Sequence, residues 1–109
     1  MSKINTERKV YLSGTLVPES QAKVSIFDSA VMLGDCVTES TRTFAHKPFK
    51  IEQHIARLYK SLKVARIDPG LSPEEMLTVT LVLLQQNLQT LEQGDDFWIV
   101  HNVSRGLAV

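Results

Sequence analysis

Short β-prone runs fill the first part of the chain, and two stretches with helical spacing follow them. Residues 9–17 contain two such runs around Ser13-Gly14, which predicts a hairpin because Gly14 can take a positive φ. Residues 22–28 form a third candidate strand or extended segment. Residues 29–35 are small and apolar and predict a turn or a single helical turn.

Residues 37–44 predict a strand, because β-branched residues are frequent there. Its alternating positions are Val37, Glu39, Thr41 and Thr43 on one face and Thr38, Ser40, Arg42 and Phe44 on the other. A strand with one core face usually keeps that face apolar, and here neither face is. Two interpretations stay open. One is an edge strand with a solvent-exposed side, which these residues favour slightly, and the other is a strand that lines a polar pocket. A turn at 45–48 predicts that 49–51 pair with this strand.

Two helices are predicted from apolar residues that recur at helical spacing. The first runs from about Glu52 to Arg66. The second begins at Ser72, a good N-cap that forms a capping box with Glu75, and runs to Gly94. It is apolar almost all round in its first half, so we expect it to be largely buried.

The last strand, residues 97–104, has apolar residues on both faces, which predicts a central position in a sheet. Several strands, two helices and a strand predict an α+β fold, a mainly antiparallel sheet covered by two helices. The chain is long enough for one domain, so residues 1–109 are interpreted as one small α+β domain.

Composition narrows the function classes. The formal net charge is zero, so neither a nucleic-acid partner nor a solvating acidic role is indicated. The longest apolar run is about half the length needed to span a bilayer, so no membrane association is predicted. Cys36 is the single cysteine and the N-terminus is polar, which together favour the cytoplasm.

Arg57 is the first candidate for a functional residue. His54, Arg57 and Ser61 share one flank of the first helix, at spacings of three and four residues. A guanidinium in that place suits a phosphate or a carboxylate, because its donors bind two oxygens at once. The alternative is a surface arginine paired with a nearby glutamate, which is the more common case.

Other reactive side chains give no pattern that predicts catalysis. The three histidines, His46, His54 and His101, lack the close spacing of a zinc motif, so no metal site is predicted. Cys36 is interpreted as a small buried thiol rather than a nucleophile. Phosphate-binding loops and nucleophile-elbow motifs do not occur. The residues alone therefore leave an anion site near Arg57 and Arg42 as a candidate, and they indicate no catalytic residue.

Taken in order, several segments resemble one family. They are a hairpin ending "LVP", then "KVSIFD", "GD", a strand with Glu and Arg, "KPFKIEQHIARLYKS", and "VSRG" at 103–106. This order and spacing resemble the N-terminal domain of class IV, or fold-type IV, pyridoxal-phosphate-dependent aminotransferases. That family includes branched-chain and D-amino acid aminotransferases and aminodeoxychorismate lyase.

The resemblance implies roles for specific residues. The arginine of the "H-x-x-R-L" helix contacts the phosphate of pyridoxal 5′-phosphate in this family, and it falls on Arg57. The polar strand lines the substrate pocket there, which points to Thr38, Ser40 and Arg42. The resemblance also implies an amino acid and a 2-oxo acid as substrates, and a homodimer. Cys36 replaces the last glycine of the usual "G-D-G", so the resemblance does not identify which amino acid is the substrate.

The lysine that forms the Schiff base in this family lies in a C-terminal domain, and no lysine here matches it. We therefore expect this chain to be the N-terminal domain without its catalytic C-terminal domain, and to be inactive alone. Two alternatives stay open. One is a relative of aminodeoxychorismate lyase, and the other is a stand-alone binding or interaction module without catalysis.

Overall fold

The computed structural model describes residues 7–92 and 94–108. The elements in chain order are β1 (Lys9–Leu12), β2 (Thr15–Pro18), a 3-10 turn (Glu19–Gln21), α1 (Ser29–Leu33), β3 (Cys36–Phe44), β4 (Lys47–Pro48), α2 (Ile51–Ala65), α3 (Pro73–Asn87), a 3-10 turn (Leu88–Thr90) and β5 (Trp98–Ser104). They form an antiparallel hairpin and an antiparallel three-stranded sheet, with α2 packed on the sheet. The predicted α+β class is confirmed.

The predicted hairpin is confirmed as β1 and β2. Ser13 and Gly14 connect the strands with φ angles of 50° and 91°, as a two-residue turn between antiparallel strands requires. The hairpin is held to α3 by Asn87. Its Oδ1 accepts the Lys9 backbone N–H at 2.8 Å, and its Nδ2 donates to the Lys9 carbonyl at 3.1 Å.

The candidate strand at residues 22–28 does not form. This segment is a loop with a single isolated β-bridge, between Asp28 and Leu107. Among the described residues no strand pairs with it, and its exposed apolar side chains are Val24, Ile26 and Phe27. The predicted helical turn follows as α1, where Asp28 accepts the Ala30 N–H and Gly34 ends the helix with a positive φ.

β3 is the shared partner in the three-stranded sheet, whose strand order is β4-β3-β5. β5 pairs with it from Cys36 to Arg42, whereas β4 pairs only with Thr43 and Phe44. On the other edge, the Phe49 N–H donates to the Arg42 carbonyl, so within the described residues one edge of β3 is unpaired over 36–41. The edge-strand interpretation applies to this stretch of β3 but not to its last three residues.

Two predictions about strand positions were wrong. β5 was predicted to be central, but within the part of the chain that the structure describes only β3 pairs with it. Residues 49–51 do not continue the strand opposite β3, although the Phe49 N–H still donates to the Arg42 carbonyl at 2.9 Å. β4 stops at Pro48, Lys50 takes a left-handed conformation with φ of 54°, and Ile51 already begins α2.

The core lies between α2 and the sheet. Its buried apolar residues are Ile51, Ile55, Leu58, Leu62, Ile67 and Met76. Four of them come from α2 at the spacing of one helix face, and Leu58 is 0% exposed. Arg66 ends α2 in a left-handed conformation, close to the predicted boundary.

α3 begins as predicted but is less buried than expected. The Ser72 side chain accepts the Glu75 N–H, and the Glu75 carboxylate accepts the Ser72 N–H, which completes the capping box. The helix ends at Asn87 instead of Gly94. It contacts mainly α2 and β1. Because its apolar residues occur on all sides of the helix, those on the side without contacts, including Leu81 and Val82, are exposed.

Candidate functional site

A buried carboxylate lies at the junction of β3 and α2. Glu39 is on the face of β3 that α2 covers, and it is 6% exposed. Burying an ionised carboxyl group costs free energy unless charged or hydrogen-bonding partners surround it. Glu39 has two such partners on α2, His54 and Arg57, which lie one helical turn apart.

Three hydrogen bonds hold this cluster together. The Arg57 guanidinium is bidentate: Nε donates to Oε2 of Glu39 at 2.9 Å, and Nη2 donates to Oε1 at 2.5 Å. Nδ1 of His54 lies 2.9 Å from the same Oε1. An ionised carboxylate can only accept, so Nδ1 of His54 carries the proton of this bond.

Glu39 and Arg57 each stabilise the charged form of the other. The bidentate guanidinium, with a smaller contribution from His54, lowers the pKa of Glu39 to about 2 although burial opposes this. Glu39 in turn raises the pKa of Arg57. Both groups are therefore ionised at neutral pH. Only the carboxylate is buried, because the Arg57 side chain is 66% exposed.

The outer edge of the Arg57 guanidinium is the part that could bind a ligand. A guanidinium has five N–H donors, and Glu39 takes two of them. The remaining three, on Nη1 and Nη2, have no acceptor among residues 7–92 and 94–108. Donors in this planar arrangement match two oxygens of a phosphate or a carboxylate. The donor set therefore fits an oxyanion, including the phosphate of pyridoxal 5′-phosphate.

The predicted substrate residues lie on the other face of the sheet. Thr38, Ser40 and Arg42 share the face of β3 that α2 does not cover, and they spread over about 14 Å of strand. The hydroxyl of Thr38 donates to Oδ1 of Asn102 at 2.6 Å. The structure brings these three residues onto one face but does not place Arg57 on that face.

The Arg42 side chain contacts three neighbouring groups of the protein. Its Nε donates to the Thr43 carbonyl at 3.0 Å, and its guanidinium lies 3.8 Å from the centre of the Phe44 ring. Nη2 also lies 3.8 Å from the Asp96 carboxylate. The side chain is more than half exposed, so its outer donors can still reach a ligand on this face.

His101 adds a neutral group beside Glu39. The two residues are paired across β3 and β5. Nε2 of His101 lies 2.9 Å from the Thr80 hydroxyl, which itself donates to the Met76 carbonyl. The hydroxyl must therefore accept from Nε2, and burial lowers the pKa of His101. This ring is neutral near neutral pH.

Two absences hold for the described part of the chain. Residues 7–92 and 94–108 contain no group of three or more His, Cys, Asp or Glu side chains that could bind a metal ion. No helix in these ranges has the length and apolar character needed to cross a membrane.

Sequence reasoning identified Arg57 but missed Glu39 as its partner. The alternative interpretation paired Arg57 with a nearby surface glutamate. A glutamate does pair with it, but this one is buried and 18 positions away along the chain. Two signals were available: an acidic residue in a strand next to the helix, and His54 three residues before Arg57.

Comparisons with known proteins point to one family. No protein-family model matches the chain. The chain is 44% identical over 79 residues to a provisionally named branched-chain-amino-acid aminotransferase of Methanocaldococcus jannaschii, a match that covers 72% of this chain and 27% of that protein. It is 32% identical over 79 residues to the D-alanine aminotransferase of Staphylococcus haemolyticus, covering 72% of this chain and 28% of that enzyme. The chain thus spans about a quarter of the length of these relatives.

Solved structures agree with the sequence matches. The branched-chain aminotransferase of Thermoproteus uzoniensis with norvaline superposes with a TM-score of 0.75 at 26% identity, over 86% of this chain and 32% of that one. The branched-chain amino acid aminotransferase of Escherichia coli shares the fold, with a TM-score of 0.79 at 23% identity, over 92% of this chain and 34% of that one. The sequence matches and the shared fold together support an N-terminal domain of the fold-type IV aminotransferase family.

Proposed function

We propose that this chain is the cofactor- and substrate-facing N-terminal domain of a pyridoxal-phosphate-dependent aminotransferase. Such an enzyme transfers the amino group of an amino acid to a 2-oxo acid. The observation that carries the proposal is the Arg57 guanidinium, which Glu39 holds on one edge while the other edge is exposed. In this proposal the exposed donors bind the phosphate of pyridoxal 5′-phosphate.

The match between Arg57 and a phosphate is chemical as well as geometric. A phosphate ester carries close to two negative charges at neutral pH and offers several oxygens, which suits a bidentate guanidinium. Arg57 stays protonated, since Glu39 raises its pKa. When bound, the cofactor supplies an electron-withdrawing ring that acidifies the α-proton of the amino acid. The role of Arg57 is to hold the cofactor's phosphate end in place.

The open face of β3 is the proposed wall of the substrate pocket, with Thr38, Ser40 and Arg42 as the contacting residues. Arg57 belongs to the other face, so one site can include both only if the ligands lie across a strand edge. The edge of β3 that is unpaired over residues 36–41 offers such a place. The Ser40 hydroxyl and the Arg42 guanidinium can donate to the carboxylate of an amino acid, whereas the Thr38 hydroxyl already donates to Asn102 and can accept.

The rest of the catalytic machinery is proposed to lie in a C-terminal domain outside residues 1–109, including the lysine that carries the cofactor. On this proposal the 109-residue chain alone has no aminotransferase activity. We also propose a homodimer, as the family resemblance implies, and the cytoplasm as the compartment, since one cysteine suits a reducing environment.

The test is the dissociation constant of pyridoxal 5′-phosphate, measured by absorbance titration in protein expressed from the complete reading frame. Replacing Arg57 with alanine should weaken binding roughly 10- to 100-fold, since hydrogen bonds to a charged group are lost. The matched control is Arg8→Ala. Arg8 also donates through Nε and Nη2 to a glutamate, Glu19, but next to the open end of the hairpin.

Two results would contradict the proposal. If Arg57→Ala binds the cofactor as tightly as the wild type, Arg57 does not contact the phosphate. If Arg8→Ala weakens binding as much as Arg57→Ala does, the loss is a general effect of removing an arginine.

A further inference from the structure

We propose that Glu39 is a positioning residue for the phosphate site, and that it acts by fixing the orientation of the Arg57 guanidinium. This inference rests on the proposed role of Arg57 as the phosphate ligand. Glu39 binds the inner edge of the guanidinium through Nε and Nη2. Two bonds to one planar group fix both its direction and its plane.

Burial makes Glu39 suitable for this role. The carboxylate is 6% exposed and lies within β3, and its Oε1 also accepts the Nδ1–H of His54. It therefore cannot follow Arg57 if the longer side chain moves. Arg57, by contrast, is mostly exposed, and a free arginine at such a position samples many rotamers.

The pair formed by Arg8 and Glu19 is a useful comparison within the same chain. Arg8 also donates twice to a carboxylate, but its Nε and Nη2, at 2.9 and 2.6 Å, share the single oxygen Oε2 of Glu19. The Arg8 and Glu19 side chains are 70% and 38% exposed, so this carboxylate is not buried as Glu39 is. Of these two pairs, only that of Glu39 and Arg57 combines a buried acceptor with an exposed guanidinium.

Charge alone predicts the opposite effect on binding. Glu39 is ionised at neutral pH, because the guanidinium lowers its pKa to about 2. A carboxylate beside an anion site repels a phosphate, so removing its charge should tighten binding if charge were the dominant effect. Positioning predicts that removing the carboxylate weakens binding. The sign of the change therefore separates the two explanations.

The experiment compares pyridoxal 5′-phosphate with pyridoxal, which lacks the phosphate, in protein from the complete reading frame. In Glu39→Gln the new amide NH₂ cannot accept, so Arg57 or His54 loses its partner. We expect the dissociation constant for pyridoxal 5′-phosphate to rise about tenfold and that for pyridoxal to stay unchanged. The matched control, Glu19→Gln, should change neither constant.

The outcomes separate the inference from the proposed function. If Arg57→Ala leaves the affinity for pyridoxal 5′-phosphate unchanged, the proposed function itself fails. If Arg57→Ala weakens binding but Glu39→Gln leaves it equal or tighter, only the positioning role of Glu39 is wrong. Equal losses for pyridoxal and pyridoxal 5′-phosphate would mean that Glu39 acts on the whole site and not on the phosphate, which also overturns the inference.

A second measurement needs no variant and applies if Glu39→Gln does not fold. The Nε–H of Arg57 in the wild-type protein should give a resolved ¹H–¹⁵N signal with slow solvent exchange, because it is bonded to Glu39. Adding pyridoxal 5′-phosphate should leave this exchange slow, since the phosphate binds the other edge. Fast exchange of Nε–H in the complex would show that Arg57 leaves Glu39 to bind the ligand, and would overturn the inference.

Discussion

The two faces of the β4-β3-β5 sheet differ in what surrounds their polar side chains. On the face covered by α2, Glu39 and Thr43 are buried, and protein groups satisfy their charges and hydrogen bonds. On the open face, Thr38 and Arg42 are exposed, and Trp98, which pairs with Arg42, is 74% exposed. Polar residues on the first face should therefore matter for stability, and those on the second for binding.

The largest expected difference in stability between the two faces comes from substitutions of their apolar residues. Leu58 of α2 packs on the covered face and is fully buried, so Leu58→Ala should lower the free energy of unfolding by about 2–5 kcal/mol. Val100→Ala on the open face should cost less than about 1 kcal/mol, since Val100 is exposed. Urea denaturation of both variants measures this, and equal losses would refute the distinction between the faces.

A smaller loss is expected from a buried hydroxyl. The Thr43 hydroxyl donates to Oδ1 of Asp96 at 2.7 Å and accepts the Phe97 N–H at 2.8 Å. Thr43→Val keeps the shape but leaves the Phe97 N–H without its acceptor, while Oδ1 of Asp96 keeps the bond from the His46 N–H. We therefore expect a loss of about 1–3 kcal/mol. Thr38→Val is the matched change on the open face. If the two variants have the same midpoint of urea unfolding, burial of the hydroxyl does not determine how much stability is lost.

The pH dependence of stability provides the third prediction. The pKa of Glu39 is about 2 in the folded protein against a usual 4.5, so between these values the unfolded chain binds more protons. The stability contributed by Glu39 is therefore present above about pH 4.5 and is lost as the pH falls toward 2. Because water screens the exposed guanidinium, we expect a loss on the order of 1–2 kcal/mol.

Chemical denaturation at about pH 5 and about pH 2.5, on either side of the usual carboxyl pKa, measures this loss. Glu39→Gln should have a flatter pH profile than the wild type over this range. Glu19→Gln is the control, because Glu19 also accepts two hydrogen bonds from an arginine side chain but is exposed. A wild-type profile as flat as that of Glu39→Gln would mean that the ionised carboxylate does not contribute to folding.

The smallest effect on stability is expected on the open face, where the effect on binding should appear. Thr38→Val should change the free energy of unfolding by less than about 0.5 kcal/mol. In protein from the complete reading frame, it should raise KM for the amino acid several-fold and leave the affinity for pyridoxal 5′-phosphate unchanged. An unchanged KM would remove Thr38 from the proposed pocket wall.

Features with local signals could be predicted from the sequence. The hairpin turn at Ser13-Gly14 and the capping box of Ser72 and Glu75 depend on residues within a few positions of each other, and both are confirmed. The edge position of β5 depends instead on which strands meet in the fold, so its apolar pattern gave a wrong prediction. The exposure of α3 was missed for the same reason, since it depends on distant neighbours.

The candidate site was predicted in part for similar reasons. The position of Arg57 on the flank of α2 follows from helical spacing. Its bond to Glu39 depends on the register between α2 and β3, and a shift of one residue in a strand exchanges its two faces. The sequence placed Thr38, Ser40 and Arg42 on a common face, but it could not determine that Arg57 lies on the other.

The pairing of β3 with β5 also has a consequence for the order of events during protein synthesis. Thr38 and its partner Asn102 are 64 positions apart, so a ribosome adding about 5–20 residues per second delivers β5 roughly 3–13 s after β3. During that interval α2 can form, but among the described residues β4 is the one strand that can already pair with the nascent β3. Slow codons between the two strands should prolong this stage and increase the share of chains that aggregate during expression.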